Sequence, residues 1–468
     1  MPSHRPTIVP ADLVESSEPL AARIAGDVVA YRAATAEVAA KVKLCLMDII
    51  GCACESRDLP WSRQAKAMTE PVAGSGATII GSPGAVSAFD AAFVNAVMGH
   101  GLVREDMHSG SISHLGIAVL PALLALSQYR HVSGRDFIAA AAVGYEVGGQ
   151  VGRAVMDAEI ARIHRPTGVT GPVAAAAAGA RLLGLDLAQT TSAIALGTNA
   201  TAGFNQWAHT GGSEMFFQAG MAARSGVTAV RLAEAGAFAS PSALDGVAGL
   251  FASLGKSAVG SRVALFRATP EILAVYHKPV PACNFAQTPS QAALAIARAQ
   301  SVPTARIAAI TVRVPRAGAL YPGCDYTGPF EHILQAKMSI QYNVAAALML
   351  NGVTERNFTL LTDPELHRLM GVMKLEIDDA MTRAYPGLQG GEVEVRLADG
   401  AAHRIRLDNV VNASEADVQG RFRVATQGVF GTERAAQIER TIAELDGADD
   451  AGRLGALLRT EAGSAGRS

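Results

Sequence analysis

Two runs of small residues constrain this chain more than any other feature. Residues 172–184 read PVAAAAAGARLLG and residues 136–154 read DFIAAAAVGYEVGGQVGRA. Alanine is the strongest helix former, and faces of Ala and Gly let helix axes approach closely. A helix that is apolar all round must be buried among other helices. The simplest packing is an outer layer of amphipathic helices around buried Ala-rich ones. Residues 20–50 place Ala, Val and Leu among Arg, Asp and Glu at helical spacing. Segments near 86–100, 116–130, 134–156, 171–184, 186–198 and 218–236 continue the pattern, and strand signals are nearly absent before residue 300.

The texture changes near residue 270. YHKPVPACNF (276–285) is a Pro-rich loop leading into a helix, and RIAAITVRVPRAG (306–318) alternates like a strand. QAKMSIQYNVAAALMLNG (335–352) is helical again after an irregular stretch. Residues 391–408 form a predicted β-hairpin around Asp399-Gly400, with a turn that can exceed two residues. Residues 433–459 return to an amphipathic helix, and EAGSAGRS reads as a frayed tail. The expected architecture is mainly α: a large all-helical domain plus a smaller α+β lid. The expected divisions are 1–270 for the first helical part, 271–410 for the lid, and 411–468 for a return to the helical domain and the tail.

Composition narrows the function. Lys+Arg 40 against Asp+Glu 42 gives a net charge of −2 with no basic run, which argues against a nucleic-acid binder. No stretch is long and apolar enough for a membrane span, and the N-terminus has no apolar signal core. Five cysteines without C-x-x-C pairs or Cys/His clusters suggest buried reduced thiols rather than disulfides or zinc. The expectation is a cytoplasmic protein with neither nucleic-acid nor membrane partners.

Four segments can carry chemistry. GHGLVREDMHSGSISHLG (99–116) holds His100, His108, His114, Glu105, Asp106 and Arg104 between two apolar helices. Histidine titrates near neutral pH, so this loop is either an acid/base site or a solvated loop with capping side chains. A metal site is a weaker alternative, because the spacing is not H-E-x-x-H. In RIHRPTGVTGP, His164 and Arg165 precede a helix start, which suits either an anionic substrate group or an ordinary cap. His277 and Lys278 sit on a proline-stiffened loop, where the lysine can pair with a carboxylate or remain a surface charge. Tyr342 lies on an apolar helix, either as core or facing the same cleft as His114.

Taken together and in this order, these stretches resemble the MmgE/PrpD family of 2-methylcitrate dehydratases, cis-aconitate decarboxylases and iminodisuccinate epimerase-like enzymes. The resemblance runs from about residue 10 to 458. It rests on the His100 loop with VLPALLAL, PTG-x-x-GP-x-AAAAA-x-x-x-LLGL, QAGMAARSGVTAVRLAEAGAF, KP-x-PAC and QAKMSIQY. It implies a helical domain with an α+β lid, a homodimer, no organic cofactor and no metal. It also implies a site between domain and lid that takes small di- or tricarboxylates. By the same resemblance His114, Lys278 and Tyr342 are catalytic, and His100 matches the histidine before the acidic loop.

The departures from the family pattern are chemical. The family loop H-x-L-D-F-D-D-T is HGLVREDM here, so Val103 and Met107 replace an Asp and a Thr. Arg165 stands where the family has histidine, beside His164. Met215 replaces a lysine, Gln218 a histidine, and Gln150 an arginine; Phe216 adds a further apolar ring. His100, Arg104, Glu105, Asp106, His108, His164, Arg165, Met107, Met215 and Gln218 are thus the expected substrate contacts. A site with fewer cations suits a smaller or less charged acid than citrate, because burying unpaired carboxylates costs several kcal/mol each. The expected function is a cofactor-independent, dehydratase-type lyase that takes a proton next to a carboxylate. The alternatives are an epimerase of a small amino dicarboxylate using the same proton transfer, and a non-catalytic relative.

Overall fold

The computed structural model describes residues 18–461 except 75, 257–258, 267–268 and 301. Residues 1–17 and the tail from 462, both read above, lie outside the described residues. The longer helices of the first half are α1 (Leu20–Ala30), α2 (Ala36–Ser56), α3 (Ala88–His100), α4 (Leu115–Ser127), α5 (Gly134–Val155), α6 (Pro166–Leu183), α7 (Leu187–Asn199) and α8 (Glu214–Glu234).

Small side chains set the centre. α6 packs against α4, α5, α7 and α8, and every residue from Pro166 to Ala180 is buried. Pro166 opens α6 in its first turn, where a missing N–H is no loss, and Gly184 ends it in the left-handed conformation at φ +65°. α6 and α8 approach so closely that a Cβ built on Gly226 would lie 2.3 Å from the Ala175 Cβ. Ser133 caps α5 by accepting from the Asp136 N–H, and Thr35 caps α2 from Val38. α4 is buried along its whole length but has only 13 residues. Among the described residues no helix is long and apolar enough to cross a membrane.

The smaller α+β part holds the main sheet. Strand β1 (Met107–His108) pairs antiparallel with β2 (Val275–Tyr276), a two-residue ribbon joining the His-rich loop to the Pro-rich loop. Neither strand was expected, because two residues are too few to show alternation. The main sheet has the order β4-β3-β5-β6, with β3 (Ile307–Val314), β4 (Met373–Ile377), β5 (Gly391–Leu397) and β6 (Ala402–Leu407). β3 runs parallel to β4 and antiparallel to β5. The hairpin β5–β6 turns through residues 398–401, with Gly400 at φ +91°. Helix α9 (Gln287–Gln300) covers the sheet, and α10 (Ile340–Leu350) packs on α9.

The chain then returns to the helices. α11 (Glu415–Phe430) packs along α2, and α12 (Thr432–Ala443) packs on both. The single helix expected over 433–459 is broken by a turn at Leu445–Gly447 and resumes as Gly452–Leu457. Gly447 and the following Asp449-Asp450 supply the turn chemistry that interrupts it.

Gly226→Val should lower the melting temperature by the equivalent of about 1–3 kcal/mol, because α8 has no room to move off α6. Circular dichroism melts measure this, and an unchanged midpoint would mean that the two helices can separate.

Candidate active site

The loop between α3 and α4 is pinned from both sides. The Val103 N–H donates to the His100 carbonyl at 2.9 Å, and Val103 and Ile112 sit in the left-handed region at φ +56° and +54°. A β-branched residue there is strained, by about 1–3 kcal/mol each, and persists only when its surroundings hold it. Two buried lysines from the other part of the molecule do so. Lys278 Nζ donates to the Val103 carbonyl at 2.5 Å, and Lys337 Nζ donates to the Leu102 carbonyl at 3.2 Å. Lys337 also meets Pro281 O at 3.0 Å and Glu355 Oε1 at 2.6 Å. Lys278 is itself positioned from behind: Arg421 of α11 donates to its carbonyl at 2.8 Å and to Asp48 Oδ1 at 3.2 Å. Asp48 Oδ2 lies 2.8 Å from His277 Nδ1.

Glu105 is the hub. Its Oε1 meets the Nδ1 of His100 and, at 2.9 Å, the Nδ1 of His114. Burial pulls the Glu105 carboxyl up, but the two imidazoles hold it well below the usual carboxylate range, so it is ionised. Burial pushes His114 down to about 3, against the pull of Glu105, so its ring is neutral. Burial likewise lowers His100. An acceptor shared by two neutral rings assigns both protons to Nδ1. His114 Nδ1 also lies 3.1 Å from the Asp106 carbonyl, which favours the same tautomer. His100 Nε2 is then an acceptor, and Arg165 Nη2 donates to it at 2.9 Å. His114 Nε2 carries a free lone pair, the atom a general base needs.

His114 lines a small cavity of about 20 Å³, room for about one water molecule. Val103, Met107, Ile112, Trp207, Met215 and Met338 give it an apolar wall; Arg165, Asn284, Tyr321 and Cys283 supply the polar atoms. All these residues are buried. The Arg165 guanidinium lies 5.7 Å from the Trp207 ring centroid, and its Nε is buried without a hydrogen-bond partner. Burial lowers Lys278 to about 8, so it is still mostly an ammonium at neutral pH. His100, Glu105 and His114 place ligand-type atoms within 4.8 Å of one another. The adjacent charges of Lys278 and Arg165 oppose a divalent cation there.

The expected site residues divide clearly. His114, Arg165, Met107 and Met215 line the cavity, and His100, Glu105 and Lys278 stand directly behind it. Tyr342 does not reach it. Its hydroxyl donates to Asn357 O at 2.8 Å and its ring stacks on Phe358, so it belongs to core packing. Arg104 turns away to Glu55, at 2.5 Å. His108 is bound to Glu271 at 2.6 Å and to Ser111 at 2.7 Å, with Gln150 and Arg153 holding the other side of Glu271. His164 packs on Phe204, and Gln218 donates to the Phe204 carbonyl at 3.1 Å. The Asp106 carboxylate points beneath the loop; a Cβ on Gly116 would meet its Oδ1 at 2.3 Å and the Tyr145 hydroxyl at 2.2 Å. Burial raises the Asp106 carboxyl to about 7, against a hydrogen bond with Tyr145. Trp207, Asn284, Phe285, Tyr321 and Met338 are cavity residues that the sequence did not single out. Asn284 and Phe285 directly follow the PAC motif, the one signal that could have found them.

Two family models match the chain. The MmgE/PrpD N-terminal domain matches residues 22–260, and the MmgE/PrpD C-terminal domain matches 280–447. The chain belongs to the MmgE/PrpD family. Among curated relatives it is 33% identical over 215 residues to the cis-aconitate decarboxylase-like protein oryM of Aspergillus oryzae, covering 43% of each chain. It is 31% identical over 207 residues to cis-aconitate decarboxylase of Aspergillus terreus, covering 43% of this chain and 42% of the relative. The chain therefore spans less than half the length of the curated relatives it matches.

Two outcomes follow from the charges. The Asp106 carboxyl titrates near about 7 in the folded chain and near about 3.9 unfolded, so stability falls as pH rises through that window. Asp106→Asn should therefore melt higher than wild type at pH near 8, with the gap closing near pH 4, in paired thermal melts. Because Lys278 loses its proton near about 8, kcat/KM should hold level through mildly acidic pH and fall above that value. Lys278→Arg should move that limb upward in a pH–rate profile.

Proposed function

We propose that this protein is a cofactor-independent, dehydratase-type lyase that acts on a small carboxylic acid, with His114 Nε2 taking the proton next to the carboxylate. Glu105 orients the imidazole through Nδ1 and stabilises the imidazolium as it forms. Arg165, with its unpartnered Nε, holds the carboxylate, and the Lys278 ammonium behind Val103 stabilises the charge that develops beside it.

One observation carries the choice of substrate. Glu105 contributes one negative charge, and Lys278 and Arg165 contribute one positive charge each, so the site nets +1 with neutral histidines. One substrate carboxylate balances that charge. A tricarboxylate brings two more into a wall of Val103, Met107, Met215 and Met338, each costing several kcal/mol unpaired. The substrate is therefore a small acid with one dominant carboxylate and an apolar remainder, not a citrate-like one. Epimerisation shares the first step and differs only in lacking a leaving group on the neighbouring carbon.

The test is proton NMR of a panel of small carboxylic and amino acids in deuterated buffer. A new alkene marks elimination, and deuterium entering recovered substrate without an alkene marks epimerisation. His114→Ala should lower kcat by about 10²–10⁴ in protein that keeps the wild-type circular dichroism spectrum. Normal turnover of 2-methylcitrate or cis-aconitate would overturn the charge argument, and a fully active His114→Ala variant would overturn the base.

A further inference from the structure

Cys283 and Cys324 are 41 positions apart in sequence, yet their sulfur atoms lie 3.4 Å from each other. Both thiols are free and buried, and Cys283 forms part of the cavity wall. The backbone fixes the pair. The Cys283 N–H donates to Lys337 O at 2.9 Å, and the Ile340 N–H donates to Cys324 O at 2.9 Å, so both cysteines hang from the same short stretch. Neither has a part in the proton transfer proposed above.

We propose that Cys283 and Cys324 are an oxidation site on the cavity wall, a dithiol that a hydroperoxide converts to a disulfide and a small thiol reductant restores. The Cys283 thiolate attacks one peroxide oxygen, breaking the O–O bond; this gives a sulfenic acid and, after protonation of the leaving hydroxide, water. The Cys324 sulfur then attacks the sulfenic sulfur and gives up its own proton, and the hydroxyl leaves as a second water. In sum, two thiols lose two electrons and two hydrogens to one peroxide.

The surroundings assign the order. The Cys324 hydrogen bond and the nearby Lys278 charge hold the Cys283 thiol down against the pull of burial, whereas Cys324 is pushed up. Cys283 is therefore the attacking sulfur and Cys324 the resolving one. Cys45, Cys52 and Cys54 lie buried in α2, where burial pushes their thiols up. Hydrogen peroxide is scarcely larger than water, and the cavity offers it a place beside Cys283. Closing the bond draws the sulfurs from 3.4 Å to about 2.05 Å and pulls the Tyr321–Cys324 wall toward the cavity.

The test uses the whole chain and does not depend on the reaction assigned above. Protein is exposed to millimolar hydrogen peroxide, alkylated after denaturation and digested without reductant. The expected products are a Cys283–Cys324 linked peptide lighter by two hydrogens, loss of two of the five free thiols, and full reversal by dithiothreitol. Cys324→Ser should stop at a Cys283 sulfenic acid that dimedone traps, and Cys283→Ser should leave Cys324 reduced. An unmodified chain, prior oxidation of Cys45, Cys52 or Cys54, or Cys283 passing to sulfinic acid while Cys324 stays free would each overturn the proposal.

Discussion

Glu105 keeps a full negative charge in the interior of the molecule, and the site is organised around that one cost. An isolated buried carboxylate is unfavourable by several kcal/mol, and hydrogen bonds and opposite charge are what offset it. Two imidazole N–H groups converge on one oxygen, and Lys278 and Arg165 stand close by. The arrangement assigns tautomers without any further assumption. Once both Nδ1 atoms carry protons, His100 turns its lone pair to Arg165 and His114 turns its own into the cavity. Charge balance and proton-transfer chemistry are therefore one arrangement viewed from two sides.

Placing such a group demands a rigid scaffold, which the small-residue helices supply. α6 is surrounded by α4, α5, α7 and α8 at distances that only Ala and Gly permit. A close-packed interior transmits strain rather than absorbing it. The loop above can therefore hold two β-branched residues at positive φ, with lysines from the lid side drawing on its carbonyls.

What the sequence made legible follows from how local each signal is. The Ala-rich runs announced a buried helical centre, and the alternation at 306–318 and 391–408 announced a sheet, because both patterns are complete within one segment. His100, Glu105 and His114 are found together for the same reason: one loop carries them. Arg104 and His108 read equally well as substrate contacts, but their partners Glu55 and Glu271 lie 49 and 163 positions away, and no local pattern encodes such pairings. Tyr342 fails differently. A tyrosine on an apolar helix reads the same whether its hydroxyl meets a substrate or, as here, the carbonyl of Asn357. Trp207 opens a helix of 4 residues and Tyr321 caps one of 5, both too short to give a periodic signal.

The tie from Arg421 to the Lys278 carbonyl and to Asp48 has a consequence for biosynthesis. Helical packing around α6 can begin as soon as α8 leaves the ribosome. The cradle for the buried ammonium stays incomplete until α11 has been translated and has docked along α2. A nascent chain paused before residue 421 would hold a nearly finished scaffold around an unassembled centre, so competence arrives late and all at once.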